Sequence, residues 1–237
     1  MEPLILLHAF PLDSRMWDRV RAPLATRTEV VALDLPGFGG TPLPDAEPSL
    51  EVVAAEVVRL LDDLGADRVA LAGASLGGYV LMAMLRLAPE RVGRALFTGT
   101  KATADTDQAR AGREEMALRA EREGTGWLAD AMLPNLLTAE DPELRRVVDA
   151  QPAATVAWYA RAMASRPDSR ETLRALDLDA LVVHGANDPI MPREAAADIG
   201  HLTSSPVHFV DGAAHLPAFE RPEAFLELVV PWLTDRR

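Results

Sequence analysis

The feature that most constrains this chain is a set of short apolar runs that do not alternate with polar residues. They are Leu4-Ile5-Leu6-Leu7-His8, Val30-Val31-Ala32-Leu33-Asp34, Val69-Ala70-Leu71-Ala72, Arg94-Ala95-Leu96-Phe97, Ala180-Leu181-Val182-Val183-His184 and Val207-His208-Phe209-Val210. A strand with one wet face would alternate, so unbroken runs predict strands covered on both faces. Helical periodicity separates most of them, over 50–64, 77–87, 194–200 and 222–233. This alternation predicts an α/β fold with a doubly wound, mostly parallel six-stranded sheet. Ligands of such sheets bind at the carboxyl ends of the strands.

The rhythm stops between about residues 102 and 173, where only helix signals occur. Asp105 to Glu123 is charged and alanine-rich and ends at Gly124-Thr125-Gly126, and Trp127 to Leu137 is apolar on more than one face. Asp141-Pro142-Glu143 is an N-cap followed by a first-turn proline, and Pro152 opens a further helix. The expected organisation is a core of residues 1–101 and 174–237, with a helical cap of residues 102–173 inserted over the strand ends.

Composition narrows the possible partners. The chain has 237 residues, a net charge of −12 and a pI near 4.9, which argues against a nucleic-acid polyanion. Its one lysine, Lys101, and its arginines are interspersed with acids. No apolar run approaches the roughly 18 residues that span a bilayer, and no secretory pattern opens the chain, so a cytoplasmic location without membrane association is expected. The absence of cysteine removes thiolate nucleophiles, thiolate metal sites and disulfides.

Gly73-Ala74-Ser75-Leu76-Gly77-Gly78-Tyr79 lies where the third apolar run hands over to a helix. A nucleophile on such a turn takes a strained backbone that lifts its Oγ clear of the sheet, and glycines two residues to either side prevent collision. The glycines alone would also suit an ordinary tight turn. Serine needs a base, and five histidines are available. His8 and His184 close strands, His208 lies within one and His201 lies in a polar loop. His215 follows the last strand and so reaches the strand-end face. Its imidazole needs an orienting carboxylate. Asp188, in Gly185-Ala186-Asn187-Asp188-Pro189, is on the same face, although it could instead begin an Asp-Pro turn. Asp105 is its nearest rival. The order Ser75, Asp188, His215 is one known serine–acid–histidine order. Two N–H groups are expected to hold an oxyanion: that of Leu76, and that of Phe10 in the loop after the first strand. Pro11 has no N–H to offer.

Taken together, these segments resemble the α/β-hydrolase fold family. His8-Ala9-Phe10-Pro11-Leu12-Asp13-Ser14-Arg15-Met16-Trp17 is similar to the family's oxyanion segment, with Ala9 where glycine is usual. Asp34-Leu35-Pro36-Gly37-Phe38-Gly39-Gly40-Thr41 is similar to its D-x-P-G-x-G-x-S loop, with threonine in place of serine. The resemblance also implies that the first run corresponds to the family's third strand. The customary N-terminal two-strand hairpin is then missing, a sheet edge is open, and the protein is a monomer or a homodimer.

The reaction expected is hydrolysis of a carboxylic ester or lactone through an acyl-enzyme, with no metal and no organic cofactor. Activity should fall as the pH drops through the ordinary histidine range, about 6 to 7. Trp127, Leu128, Met132, Leu136, Leu137, Trp158, Tyr159 and Met163 are candidates for an apolar pocket, although at helical spacing they serve equally as core. No short cap segment carries a cluster of arginines, so a small or medium uncharged ester is expected. Enol-lactone hydrolases, carbon–carbon bond hydrolases and perhydrolase or haloperoxidase-like relatives share the pattern. So do ligand receptors and signalling modules built on the same fold. Tyr79 stands where the menaquinone-pathway branch of the family is expected to carry arginine.

Overall fold

The computed structural model describes residues 2–235. Its six strands are β1 (Leu4–Leu7), β2 (Val30–Leu33), β3 (Val69–Ala74), β4 (Val92–Thr98), β5 (Asp179–Gly185) and β6 (Val207–Val210). They lie in the order β2-β1-β3-β4-β5-β6, and every pairing is parallel rather than most of them. The chain starts at β1, steps out to β2, then crosses back to β3 and runs outward to β6. The reversal lies between β1 and β3, so the loops after these two strands diverge and leave a crevice at their carboxyl ends.

Helices α1 (Asp18–Ala25), α2 (Leu50–Asp63) and α3 (Leu76–Leu87) join the first four strands. Helix α2 starts at Ser49, whose hydroxyl accepts the Glu51 N–H at 3.1 Å, and buries one stripe of Leu50, Val53, Ala54, Val57 and Leu61. Helix α3 is buried all round from Leu76 to Leu85, as its unbroken apolar sequence requires. Five helices follow β4, the first four being α4 (Asp107–Glu123), α5 (Leu128–Leu136), α6 (Pro142–Asp149) and α7 (Ala153–Ser165). Asp141 caps α6 by accepting the N–H groups of Glu143 and Leu144. Helix α4 lies along α7, with Ala117, Ala157 and Ala160 allowing close approach. Helix α8 (Arg170–Ala175) packs instead on α3 and on α9 (Arg193–Thr203). The chain ends with α10 (Pro217–Glu220) and α11 (Pro222–Thr234).

Helix α7 is fastened to the loop after β2. Tyr159 donates to the Pro36 carbonyl at 2.8 Å, Thr155 to Gly37 at 3.0 Å and the Trp158 indole to Ala46 at 2.9 Å. Phe38 fills the junction, with ring centroids 4.7 Å from Tyr159 and 4.9 Å from His8. Among the described residues, no helix is long and apolar enough to cross a membrane.

Candidate active site

The turn between β3 and α3 carries the strain expected of it. Ser75 adopts φ 49° and ψ −106°, a conformation that a residue with a Cβ avoids. Two glycines permit it. A Cβ on Gly77 would run into the Leu7 carbonyl, and one on Gly73 into the Gly77 carbonyl. The Ser75 N–H donates to Thr98 O at 2.9 Å, and its carbonyl accepts the Thr100 hydroxyl at 3.0 Å. The backbone is thereby held on both sides, while Ser75 itself stays partly exposed among buried neighbours.

Asp188 and His215 come from the loops after β5 and β6. Those loops are tied by the Ala186 N–H on Val210 O at 3.0 Å and the Asn187 N–H on Ala213 O at 2.9 Å. The Asp188 Oδ2 then lies 2.8 Å from His215 Nδ1, and its Oδ1 accepts the Ile190 and Met191 N–H groups. Burial works to raise the Asp188 pKa, but His215 and the two backbone donors outweigh it and hold the carboxyl below its ordinary value. With Nδ1–H committed to Asp188, His215 Nε2 is left as the acceptor. The ring is buried and runs close along Gly99 at the end of β4.

The loop after β1 is braced from several directions. His8 Nε2 accepts the Leu35 N–H at 3.0 Å and its Nδ1 faces Ala9 O at 3.0 Å. Burial lowers the His8 pKa, so this buried imidazole is a neutral strut. Asp34 Oδ1 accepts the Ser14 N–H at 2.8 Å. The Ala9 N–H goes to Met16 Sδ and the Gly77 N–H to His8 O, whereas the Phe10 and Leu76 N–H groups meet no protein acceptor among the described residues. This leaves one donor on each side of the β1–β3 crevice.

The remaining histidines are engaged elsewhere. His184 is buried, hydrogen-bonds to Met191 O and stands 3.6 Å from Asp188 Oδ2. His208 is half-buried on β6, and His201 is exposed on α9 rather than in a loop. The rival carboxylate, Asp105, is also occupied. It meets Arg166 at 2.8 Å, Lys101 at 3.1 Å and Arg113 at 2.5 Å. Arg166 in turn lies 3.9 Å over the Tyr79 ring. These cations come from three separate segments, so no local run of arginines announced them.

The candidate pocket residues have varied surroundings. Trp158 and Tyr159 are buried staples between α7 and the loop after β2, and Leu136 is buried. Trp127 lies under Arg119 with its indole N–H on Gly124 O, and Met132 is half-buried. Glu220 was not legible as a site residue. It accepts the Ala214 N–H at 2.8 Å beside His215, and the Thr138 N–H and hydroxyl at 2.6 and 2.7 Å from the segment after α5. No local pattern marks it, because the link forms only once the chain is folded. A cleft of about 860 Å³ opens at the opposite ends of the strands, among Glu2, Arg94 and Asp179, away from Ser75.

The model of the alpha/beta hydrolase family matches residues 4–228. A pimeloyl-[acyl-carrier protein] methyl ester esterase of Nitrosospira multiformis is 28% identical over 246 residues, covering 96% of this chain and 92% of that protein. A thermophilic esterase from Thermogutta terrifontis, solved with malate bound, is 33% identical with a TM-score of 0.93, covering 98% of this chain and 89% of that one. The enol-lactonase from Burkholderia xenovorans is 25% identical with a TM-score of 0.88, covering 99% and 92%.

Proposed function

This chain belongs to the alpha/beta hydrolase family, and on that premise we propose that it hydrolyses a small or medium carboxylic ester through an acyl-enzyme formed on Ser75. The observation that carries the reading is the 2.8 Å contact between Asp188 and His215 at the strand-end face that also bears the strained Ser75 turn. In the first half-reaction His215 takes the Ser75 proton as Oγ bonds to the ester carbonyl carbon. The resulting oxyanion receives the Phe10 and Leu76 N–H groups, and Asp188 stabilises the imidazolium. The C–O bond to the alcohol then breaks, and His215 returns the proton to the departing oxygen. Water repeats the sequence on the acyl-enzyme, releasing the acid and restoring Ser75. Residues 102–173 act as the cap that covers this step, with Met132 and the apolar residues near it the candidates to contact the substrate.

The methyl ester esterase relatives make a small alcohol the first leaving group to test. The enol-lactonase relative supports a second reading, in which the same triad opens a lactone and the alcohol stays attached to the product. The test is a panel of p-nitrophenyl and methyl esters together with an enol-lactone, with mass spectrometry after a fluorophosphonate probe. Multiple turnover and one adduct, on Ser75 and abolished in Ser75→Ala, are expected. The proposal is falsified if the wild type shows neither turnover nor that adduct.

A further inference from the structure

Asp105, the rival acid, sits at the centre of a charge imbalance. Lys101, Arg113 and Arg166 supply three positive groups around this one buried carboxylate, leaving two positive charges in excess. The chain as a whole is strongly acidic, with a net charge of −12, so a local excess of positive charge runs against the overall sign. The donors exceed the acceptors as well. Arg166 spends hydrogen bonds on Met163 O, Thr103 O and Asp105, and Arg113 on Asp105 and Met163 Sδ. Among the described residues Lys101 has Asp105 alone as a charged partner, although an ammonium carries three donors. Beneath Arg166, the Tyr79 hydroxyl is buried without a partner of any kind among the described residues. An orphaned buried hydroxyl is uncommon and calls for an explanation.

The cluster adjoins the reacting centre. Tyr79 follows Ser75 by four residues along α3, a rise of about 6 Å. Lys101 comes two residues after Gly99, which packs on the His215 ring, and directly after Thr100, which bonds to Ser75 O. The cluster is thereby linked to the Ser75 turn through Thr100 and to His215 through Gly99.

We propose that Lys101, Arg113, Arg166 and Tyr79 form an anion subsite that takes a carboxylate on the substrate, so that the preferred esters are half-esters of short dicarboxylic acids. This rests on the ester-hydrolase reading and revises one part of the sequence expectation, the uncharged substrate. In this arrangement the substrate carboxylate accepts from Lys101 and the Tyr79 hydroxyl, and Asp105 keeps the two guanidinium groups in place.

The test compares monomethyl glutarate with methyl hexanoate, a neutral ester of similar length, by methanol release at low salt. The wild type is expected to favour the half-ester in kcat/KM by about tenfold or more, with the preference shrinking in 1 M salt. Tyr79→Phe and Lys101→Met are each expected to lower that ratio by about five- to tenfold. Tyr79→Phe breaks no bond within the protein, so a purely structural cluster predicts an unchanged ratio. A wild-type ratio near or below one, or a ratio untouched by both variants, overturns the subsite and leaves the hydrolase reading standing. If neither ester turns over, the panel and probe described above decide the hydrolase reading, and calorimetry with glutarate alone decides the subsite. Binding weakened by Lys101→Met supports it, and no binding to the wild type overturns it.

Discussion

The Asp188 carboxylate and the His215 imidazole meet at 2.8 Å although they come from different loops, and each partner is buried. Asp188→Asn keeps the shape but removes the charge and offers an amide that disfavours the required tautomer. A fall in kcat of about three to four orders of magnitude is expected, with KM little changed. Steady-state kinetics on the best ester of the panel checks this, and a loss below tenfold would count against Asp188 as the orienting acid.

Asp105 gives a prediction in pH. Burial works to raise its pKa, yet Arg166 and Arg113 outweigh burial and push it far below the ordinary value. A carboxyl depressed on folding stabilises the protein above its unfolded pKa, about 3.9, and loses that contribution as the pH falls towards the folded value. Asp105→Asn is therefore expected to destabilise the protein by about 3–5 kcal/mol at pH 7, as for a broken buried ion pair. The gap from the wild type should narrow in urea melts taken at progressively lower pH below 4. A gap independent of pH would show that the ionised carboxylate is not what matters.

Gly77 touches the Leu7 carbonyl of the neighbouring strand so closely that no Cβ fits. Gly77→Ala is expected to cost about 1–3 kcal/mol of stability, read as a lower urea midpoint at constant slope. It should also lower kcat, because the loop after β1 and the start of α3 carry the two proposed oxyanion donors and must move apart to admit the methyl group. An alanine variant as stable and active as the wild type would mean that the turn is looser than drawn.

Glu220 joins Ala214, beside His215, to Thr138 in the segment after α5. Glu220→Gln retains the volume but turns an amide donor towards one of these donors. A fall in kcat of about tenfold is expected, through a misplaced His215. Thr138→Val, which removes only the hydroxyl bond, should have a smaller effect. Equal kcat in Glu220→Gln and the wild type would reduce Glu220 to a surface contact.

The fold was legible because apolar runs covered on both faces leave few alternatives. All six strands appear where Leu4–Leu7 and its counterparts indicate. Helix α1 escaped notice because Asp18–Ala25 buries only Val20 and Leu24, too few to draw a stripe. Helices α8 and α10 are too short for a period to show. At the candidate site, the sequence placed Asp188 and His215 on one face because each follows a strand, and the two side chains do meet at 2.8 Å. The cations around Asp105 were not. Lys101, Arg113 and Arg166 are scattered along the chain, and only the packing of α4 and the end of α7 against the loop after β4 brings them together.

The backbone of Ser75 has one more consequence. Alanine ordinarily outranks glycine in stability at an interior position, because glycine has more freedom to lose on folding. At φ 49° and ψ −106° that order should invert, with Ser75→Gly melting above Ser75→Ala and both variants inert. The position is one where selection for durability and selection for reactivity pull towards different residues. A drift towards glycine in a lineage that no longer needed the reaction would be the sign that only durability was still being selected.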